Sequence, residues 1–98
     1  MSLVSVVIPH YGAPEPTLAL INHLSASRSP DGLEIIVSDD CSPEPFPPGD
    51  DYRLVRRTKN GGFGSAVNSG AGVATGEYLL ILNSDLEISP TLIASLVD

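Results

Sequence analysis

The chain has 98 residues, a length that predicts one compact domain without a second. Its 42% hydrophobic content, with five aromatic residues and no tryptophan, predicts an aliphatic core and excludes a disordered chain. A formal net charge of −7 and a pI near 4.4 argue against a nucleic-acid partner and against attraction to an anionic lipid surface.

Cysteine content and leader signals favour a reducing compartment. The single cysteine, Cys41, cannot form an intramolecular disulfide, and no group of Cys and His has the spacing of a zinc site. The chain enters an apolar run without a charged leader, and no apolar run approaches the roughly 18 residues of a membrane span. We therefore expect a soluble cytoplasmic protein, which in a longer enzyme would lie at the cytoplasmic face of a membrane.

The first half of the chain predicts two buried strands joined by a helix. The aliphatic run Val4 to Ile8 predicts the first strand, and Glu34 to Val37 predicts the second. Between them Leu18, Ile21 and Leu24 recur at helical spacing. Both runs are apolar on consecutive residues, which is typical of central parallel strands covered on both faces.

The second half begins with an irregular connection, since four prolines fall between Cys41 and Asp51. A weaker edge strand is predicted from Tyr52 to Arg56, then a helix from about Gly64 to Ala74. The run Tyr78 to Leu82 predicts a third buried strand. A last helix is predicted from Ser89, and because it has no stop signal we expect the chain to be truncated.

The basic residues are concentrated beside the predicted edge strand. Arg53, Arg56, Arg57 and Lys59 fall within seven positions of an otherwise acidic chain. They either face an anionic ligand or keep a strand edge from pairing. The sequence leaves both interpretations open.

The element order predicts an α/β protein with a doubly wound, mainly parallel sheet and flanking helices. In such sheets ligands bind beyond the carboxyl ends of the strands, where the strand order reverses. Polar residues follow three of the predicted strands: His10 and Tyr11, then Asp39 and Asp40, then residues 83–85. Three strands would thus deliver polar groups to one edge of the sheet.

These polar groups suit a phosphorylated ligand, although each alone is also compatible with a plain turn or helix start. Asp85 could hold Mg²⁺ or Mn²⁺, which need only one or two protein carboxylates beside water and phosphate oxygens. Asp39 and Asp40 should point to opposite sides, so only one can accept a hydrogen bond from a base or ribose in the cleft. The glycine-rich stretch from Asn60 to Gly64 could approach a phosphate.

Together these features resemble the family 2 glycosyltransferases of the GT-A fold, over essentially the whole chain. Val4 to Pro9 resembles the opening strand of that family, and Ile35 to Ser42 its second strand and paired-aspartate turn. Asn60 to Gly70 resembles the Asn-x-Gly and Ala-x-Asn-x-Gly signature. Gly76 to Asp85 resembles the strand that ends in the DXD-type metal motif.

The resemblance implies metal-assisted, inverting transfer of a sugar from a nucleotide-diphospho-sugar to an acceptor hydroxyl. The nucleotide-binding residues that it implies are Pro9, Tyr11, Asp39, Asp40, Asn60, Gly62, Asn68 and Ser84. Among them Asp39 is expected to bind the base and Asn68 to help shape the donor site. Asp85 is expected to ligate Mg²⁺ or Mn²⁺.

Some positions depart from the family pattern. Gly12 stands where many members have Asn, Cys41 where the turn usually has Gly, and Val67 where some have a basic residue. The general base and the site for a glycan or lipid-linked acceptor are expected in a half that follows the metal motif. Residues 1–98 are therefore expected to form a single donor-binding subdomain, inactive alone and tending to self-associate through an incompletely covered core.

Two other functions remain open, a nucleotidyltransferase and a non-catalytic assembly module. The first would be expected to carry a glycine-rich basic loop after its first strand, whereas this chain carries Pro9 to Gly12 there. A dinucleotide-binding dehydrogenase is excluded more firmly, since no G-x-G-x-x-G motif follows that strand.

Overall fold

The structure, a computed structural model of the chain, describes residues 4–26 and 33–82. Its elements in chain order are β1 (Val4–His10), α1 (Glu15–Ala26), β2 (Leu33–Asp39), β3 (Arg53–Arg56), α2 (Phe63–Ala71) and β4 (Tyr78–Ile81). The predicted order of these elements is confirmed, and the connection from β2 to β3 is irregular as expected. The helix predicted from Ser89 lies outside the described residues.

The four strands form one parallel sheet in the order β3-β2-β1-β4. The chain moves outward from β1 through β2 to β3, then crosses back to pair β4 on the other side of β1. The predicted α/β class with a mainly parallel sheet is confirmed, and β3 lies at an edge as predicted. Because the strand order reverses at β1, the carboxyl ends beside β1 are the expected place for a ligand.

One face of the sheet packs against α1. Leu20, Ile21 and Leu24 are at most 3% exposed and form a cluster with Val6 and Ile8 of β1. Complete burial of an aliphatic side chain of this size contributes about 1.5–3 kcal/mol, so this cluster stabilises the fold substantially.

The aromatic side chain of Phe46 closes the carboxyl end of the same face. Phe46 belongs to the irregular connection, is 2% exposed and joins the α1 cluster. Its ring meets His10 and Tyr52 edge to face, with centroids 4.7 and 5.5 Å apart. The proline-rich connection is therefore anchored to the core through one ring.

The opposite face packs against α2 through small residues. Successive residues of a strand point to opposite faces, so Val7 faces α2 whereas its neighbours face α1. The buried residues of α2 are Ala66 and Gly70, and a Cβ at Gly70 would lie 2.5 Å from Cγ1 of Val7. The absence of a side chain at Gly70 is what lets the helix approach β1 so closely.

Burial of β4 differs from the prediction. Tyr78 and Leu79 are 47% and 51% exposed, although Leu82 is buried. Within the described residues β4 pairs only with β1, and α2 packs mainly on β1 and β2. The predicted burial is therefore wrong for Tyr78 and Leu79, because consecutive apolar residues do not reveal which strand lies at an edge. The predicted burial of Val4 to Ile8 is confirmed.

A polar cluster fixes the amino end of the sheet. Oγ of Ser5 donates to Oε1 of Glu34 at 2.7 Å and accepts from the N–H of Gly76 at 2.8 Å. The same Glu34 oxygen accepts from the N–H of Thr75 at 2.9 Å. These bonds tie the turn between α2 and β4 to the first two strands.

Replacing Gly70 by alanine tests the close approach of α2. We expect Gly70→Ala to lower the free energy of unfolding, since overpacking costs about 1–3 kcal/mol and exceeds the helix-propensity gain of about 1 kcal/mol. Gly64→Ala is the matched control, because a Cβ there meets nothing within 4 Å and should stabilise α2. Urea unfolding of both variants measures the difference. Equal stabilisation by the two changes would contradict the close packing.

The Glu34 cluster should make stability depend on pH. Burial raises the pKa of Glu34, but hydrogen bonds from Thr75 and Ser5, together with Arg53, outweigh it and hold that pKa below its usual value. Stability from such a carboxyl is present above its unfolded pKa of about 4.3 and is lost as pH falls through the folded pKa. The stability difference between wild type and Glu34→Gln should therefore be constant near neutral pH and shrink below about pH 4. Chemical unfolding across pH checks this, and a pH-independent difference would exclude it.

Candidate functional site

A cleft of about 300 Å³ lies at the carboxyl ends of β1 and β2, next to the start of α2. The predicted residues that line it are Pro9, Tyr11, Asp40, Asn60 and Gly62, and the lining is completed by His10, Phe63 and Ala66. The cleft therefore lies beside β1, where the strand order reverses. Its volume is at the small end of the range for ligand pockets, which run from about 300 to 1,000 Å³.

Two other predicted site residues, Asp39 and Asn68, do not line this cleft. Asp39 is completely buried elsewhere, and Asn68 is exposed on α2, away from the buried side marked by Ala66 and Gly70. Ser84 and Asp85 lie outside the described residues. Leu82, the last described residue, donates its N–H to the carbonyl of Val7, in the middle of β1, at 3.1 Å.

Asp39 is enclosed by four hydrogen-bond donors. Oδ1 accepts from the N–H and the hydroxyl of Ser42 at 3.1 and 2.5 Å. Oδ2 accepts from the N–H of Phe46 at 2.9 Å and from Nη1 of Arg56 at 2.7 Å. A carboxylate has about four acceptor positions, so all those of Asp39 are occupied. This geometry disagrees with the expectation that Asp39 binds a base.

The environment of Asp39 also fixes its charge. Burial raises the pKa of this carboxyl, but the hydrogen bonds from Ser42, Phe46 and Arg56 together outweigh burial and leave the pKa below its usual value. Asp39 is therefore ionised at neutral pH. Its negative charge is used to hold the irregular connection against the sheet.

Asp40 lines the cleft and retains one acceptor position. Oδ1 accepts from Nε of Arg57 at 2.7 Å and from the N–H of Gly61 at 2.9 Å. Oδ2 accepts from the N–H of Gly62 at 2.8 Å. The Gly61 N–H is the main cause of a lowered pKa of Asp40, reinforced by Gly62 and Arg57 and opposed by burial. Within the described residues, one of the roughly four positions is left, on Oδ2.

The turn after Asp40 connects the loops that follow β1 and β2. Cys41 has φ of 60°, in the left-handed region that favours glycine. The chain then returns so that Oγ of Ser42 accepts from the N–H of Gly12 at 3.0 Å. This bond joins the loops that follow β1 and β2.

The basic segment is bound to protein acceptors. Arg56 also donates from Nη2 to the carbonyl of Ser42 at 3.1 Å, and Arg53 donates from Nη1 to the carbonyl of Val73 at 3.2 Å. Arg57 pairs with Asp40. Arg56 and Arg57 thus organise the edge of the site, a role that neither interpretation of the sequence included.

Two exposed aromatic rings border the cleft. Tyr11 and Phe63 are each 58% exposed, although rings of this size are usually more buried. Tyr11 was predicted as a site residue, whereas Phe63 was not. The signal that could have found Phe63 is an aromatic residue directly after two glycines at a helix start.

His10 lines the cleft, but both of its ring nitrogens have protein partners. Nδ1 lies 2.7 Å from Oγ1 of Thr17, and Nε2 lies 3.1 Å from the carbonyl oxygen of Gly12. A carbonyl oxygen only accepts hydrogen bonds, so Nε2 carries the hydrogen. The imidazole therefore fixes the loop after β1.

The described part of the chain has neither a cluster of metal-ligating side chains nor a membrane-spanning helix. Among residues 4–26 and 33–82, no group of three or more His, Cys, Asp or Glu side chains could hold a metal ion. None of the described helices has the length and apolar character needed to cross a membrane.

Curated relatives match this chain over nearly its whole length. Dolichol-phosphate mannosyltransferase of Pyrococcus furiosus is 30% identical, and the match covers 97% of this chain and 29% of that protein. Glycosyltransferase GlyG of Streptococcus pneumoniae is also 30% identical, covering 96% of this chain and 34% of the relative. The chain thus spans about a third of the length of these relatives.

Solved structures share the fold of this chain, and a family profile matches its sequence. Mannosyltransferase PcManGT from Pyrobaculum calidifontis, in complex with GDP-Man and Mn²⁺, matches 96% of this chain and 31% of its own with a TM-score of 0.80 and 25% identity. S. aureus TarS 1–349 in complex with UDP-GlcNAc matches 99% of this chain and 30% of its own with a TM-score of 0.82 and 24% identity, a likeness of fold. The profile described as Glycosyl transferase family 2 matches residues 5–98. The chain therefore belongs to glycosyl transferase family 2.

Proposed function

We propose that this chain forms the donor-binding part of an enzyme that transfers a sugar from a nucleotide-diphospho-sugar to an acceptor hydroxyl. The observation that carries the proposal is the cleft at the strand-order reversal, in which Asp40 lies among exposed aromatic rings. Two structural relatives hold nucleotide sugars, GDP-Man and UDP-GlcNAc. Membership of glycosyl transferase family 2 is evidence against the alternative that the chain is a nucleotidyltransferase.

The cleft suits the nucleoside end of the donor. A volume of about 300 Å³ is small for a whole nucleotide sugar but suits a planar base with part of its ribose. Tyr11 and Phe63 offer ring faces for stacking, and Asp40 offers a carboxylate oxygen to a base N–H. In this proposal Asp40 takes the role that the sequence had suggested for Asp39.

We further propose that Asp85, with Ser84 nearby, holds Mg²⁺ or Mn²⁺ on the donor diphosphate. Carboxylate and hydroxyl oxygens are suitable ligands for these hard cations. The direction of β4 supports the proposal, because β4 runs parallel to β1, whose carboxyl end borders the cleft, and residues 83–85 follow β4 closely in the sequence. When bound, the cation would neutralise charge on the leaving nucleoside diphosphate.

Attack by an acceptor hydroxyl with inversion also requires a general base. His10 is a poor candidate because its ring nitrogens are bonded to Thr17 and Gly12. We therefore place the general base, and the glycan or lipid-linked acceptor, in the part of the longer relatives that this chain does not span. Residues 1–98 would bind and orient the donor without completing catalysis.

The two aspartates should respond differently to the same substitution. Asp40→Asn is expected to weaken binding of the matching nucleoside diphosphate about tenfold or more, because an amide cannot fully replace a charged acceptor. Asp39→Asn should instead lower the free energy of unfolding by about 2–4 kcal/mol, since it leaves Arg56 without its charged partner. Calorimetric titration and urea unfolding measure both effects. Weakened binding in a fully folded Asp39→Asn, with normal binding in Asp40→Asn, would show that Asp39 contacts the base and Asp40 does not.

The metal proposal predicts a conditional effect of Asp85. Mn²⁺ should strengthen binding of the matching nucleoside diphosphate to the wild type, and Asp85→Ala should remove most of that enhancement while keeping the metal-free affinity. Asp50→Ala, which changes an exposed carboxylate of the connection, is the matched control. Titrations with and without Mn²⁺ provide the measurement. Equal enhancement in wild type and Asp85→Ala would remove Asp85 from the metal site.

A further inference from the structure

We infer that Arg57 sets the base preference of the cleft by leaving Asp40 a single acceptor position, which favours uracil or thymine over guanine. This inference rests on the proposed donor site and on the contact between Asp40 and a base. The family does not decide the base, since one solved relative holds GDP-Man and another holds UDP-GlcNAc.

Three donors occupy acceptor positions on the carboxylate of Asp40. Nε of Arg57 and the N–H of Gly61 both donate to Oδ1, at 2.7 and 2.9 Å. The N–H of Gly62 donates to Oδ2 at 2.8 Å. The carboxylate therefore has its two positions on Oδ1 filled and, among the described residues, one position left on Oδ2.

The bases differ in how many hydrogen-bond donors they present on the pairing edge. Uracil and thymine present one N–H on the pairing edge, between two carbonyl oxygens, and one acceptor satisfies that hydrogen. Guanine presents two adjacent donors, the ring N–H and the amino group, which a carboxylate satisfies only with both oxygens. With Oδ1 filled, guanine would leave one buried donor unpaired, which corresponds to a loss of about tenfold or more in affinity.

Contacts with α2 and with the glycine loop fix the guanidinium of Arg57 in position. Nη1 of Arg57 donates to the carbonyl of Ser65 at 3.2 Å and to the hydroxyl of Ser69, both on α2. A Cβ at Gly61 would lie 2.6 Å from Nη2 of Arg57, so the loop backbone lies directly against it. The Arg57 side chain is 20% exposed. These contacts keep the arginine from moving aside to free Oδ1 for guanine.

The neighbouring ion pair supplies a matched control. Arg56 pairs with Asp39 at 2.7 Å, the same distance as between Arg57 and Asp40. Both arginines lie at the end of β3, and each binds one of two adjacent aspartates at the end of β2. Asp39 does not line the cleft, so removing Arg56 changes the same charge without changing the acceptor that faces a base.

The experiment is calorimetric titration of the chain with UDP, dTDP and GDP, using the wild type, Arg57→Met and Arg56→Met. Methionine keeps an unbranched apolar side chain and removes all guanidinium donors. The wild type should bind UDP or dTDP at least about tenfold more tightly than GDP. Arg57→Met should narrow that ratio at least about threefold, whereas Arg56→Met should keep it and only lower the melting temperature. Comparison of the UDP and dTDP arms identifies which of the two bases is preferred.

The ratio of the affinity for UDP or dTDP to the affinity for GDP distinguishes a role of Arg57 in base selection from a purely structural role. Loss of folded protein lowers all three apparent affinities together and leaves this ratio unchanged. Wild-type binding of GDP as tight as that of UDP and dTDP would overturn the inference and leave the donor-site proposal standing. This comparison needs no variant, so it can overturn the inference even if Arg57→Met does not fold, whereas an unchanged preference in a folded Arg57→Met would overturn the role of Arg57. A folded wild type that binds none of the three nucleotides would overturn the donor-site proposal and the inference with it.

Discussion

Two parallel ion pairs between the ends of β2 and β3 determine how this site is built. Asp39 binds Arg56 and Asp40 binds Arg57, each at 2.7 Å. Because neighbouring residues of a strand point to opposite faces, the two pairs act on opposite sides of the sheet. The first holds the proline-rich connection and its buried Phe46 on the α1 side. The second holds the loop before α2.

This division explains why similar carboxylates have different roles. Asp39 is surrounded by donors and takes part in folding the connection, which brings Phe46 into the α1 cluster. Asp40 meets a loop of glycines whose backbone N–H groups occupy only part of its acceptor capacity. The cleft therefore exists where the small residues of α2 let the helix lie close to β1 and where the glycine loop leaves space above Asp40.

Much of the architecture could be predicted from the sequence because it depends on local patterns. Consecutive apolar residues marked Val4 to Ile8 as a buried strand, and helical spacing marked α1. The same patterns could not show that Tyr78 and Leu79 are exposed, since edge position is set by strand order and not by composition. Likewise, alternation showed that one aspartate must leave the cleft. It could not show which, because both faces of β2 are covered by helices or connections. The partners of Arg56 and Arg57 lie 17 positions away and depend on strand register.

The start of α2 is linked to the cleft through Asp40. Gly62 is the N-cap residue of α2 and has no side chain, while the carboxylate of Asp40, which follows β2, accepts the N–H groups of Gly61 and Gly62 and so fixes the loop that leads into the helix. The position of the helix start is thus fixed by a residue outside the helix. A ligand that binds the remaining acceptor position of Asp40 shares this carboxylate with the loop, so occupancy of the cleft is linked to the local stability of the loop before α2. The amide hydrogens of Gly61 and Gly62 would therefore report on the state of Asp40.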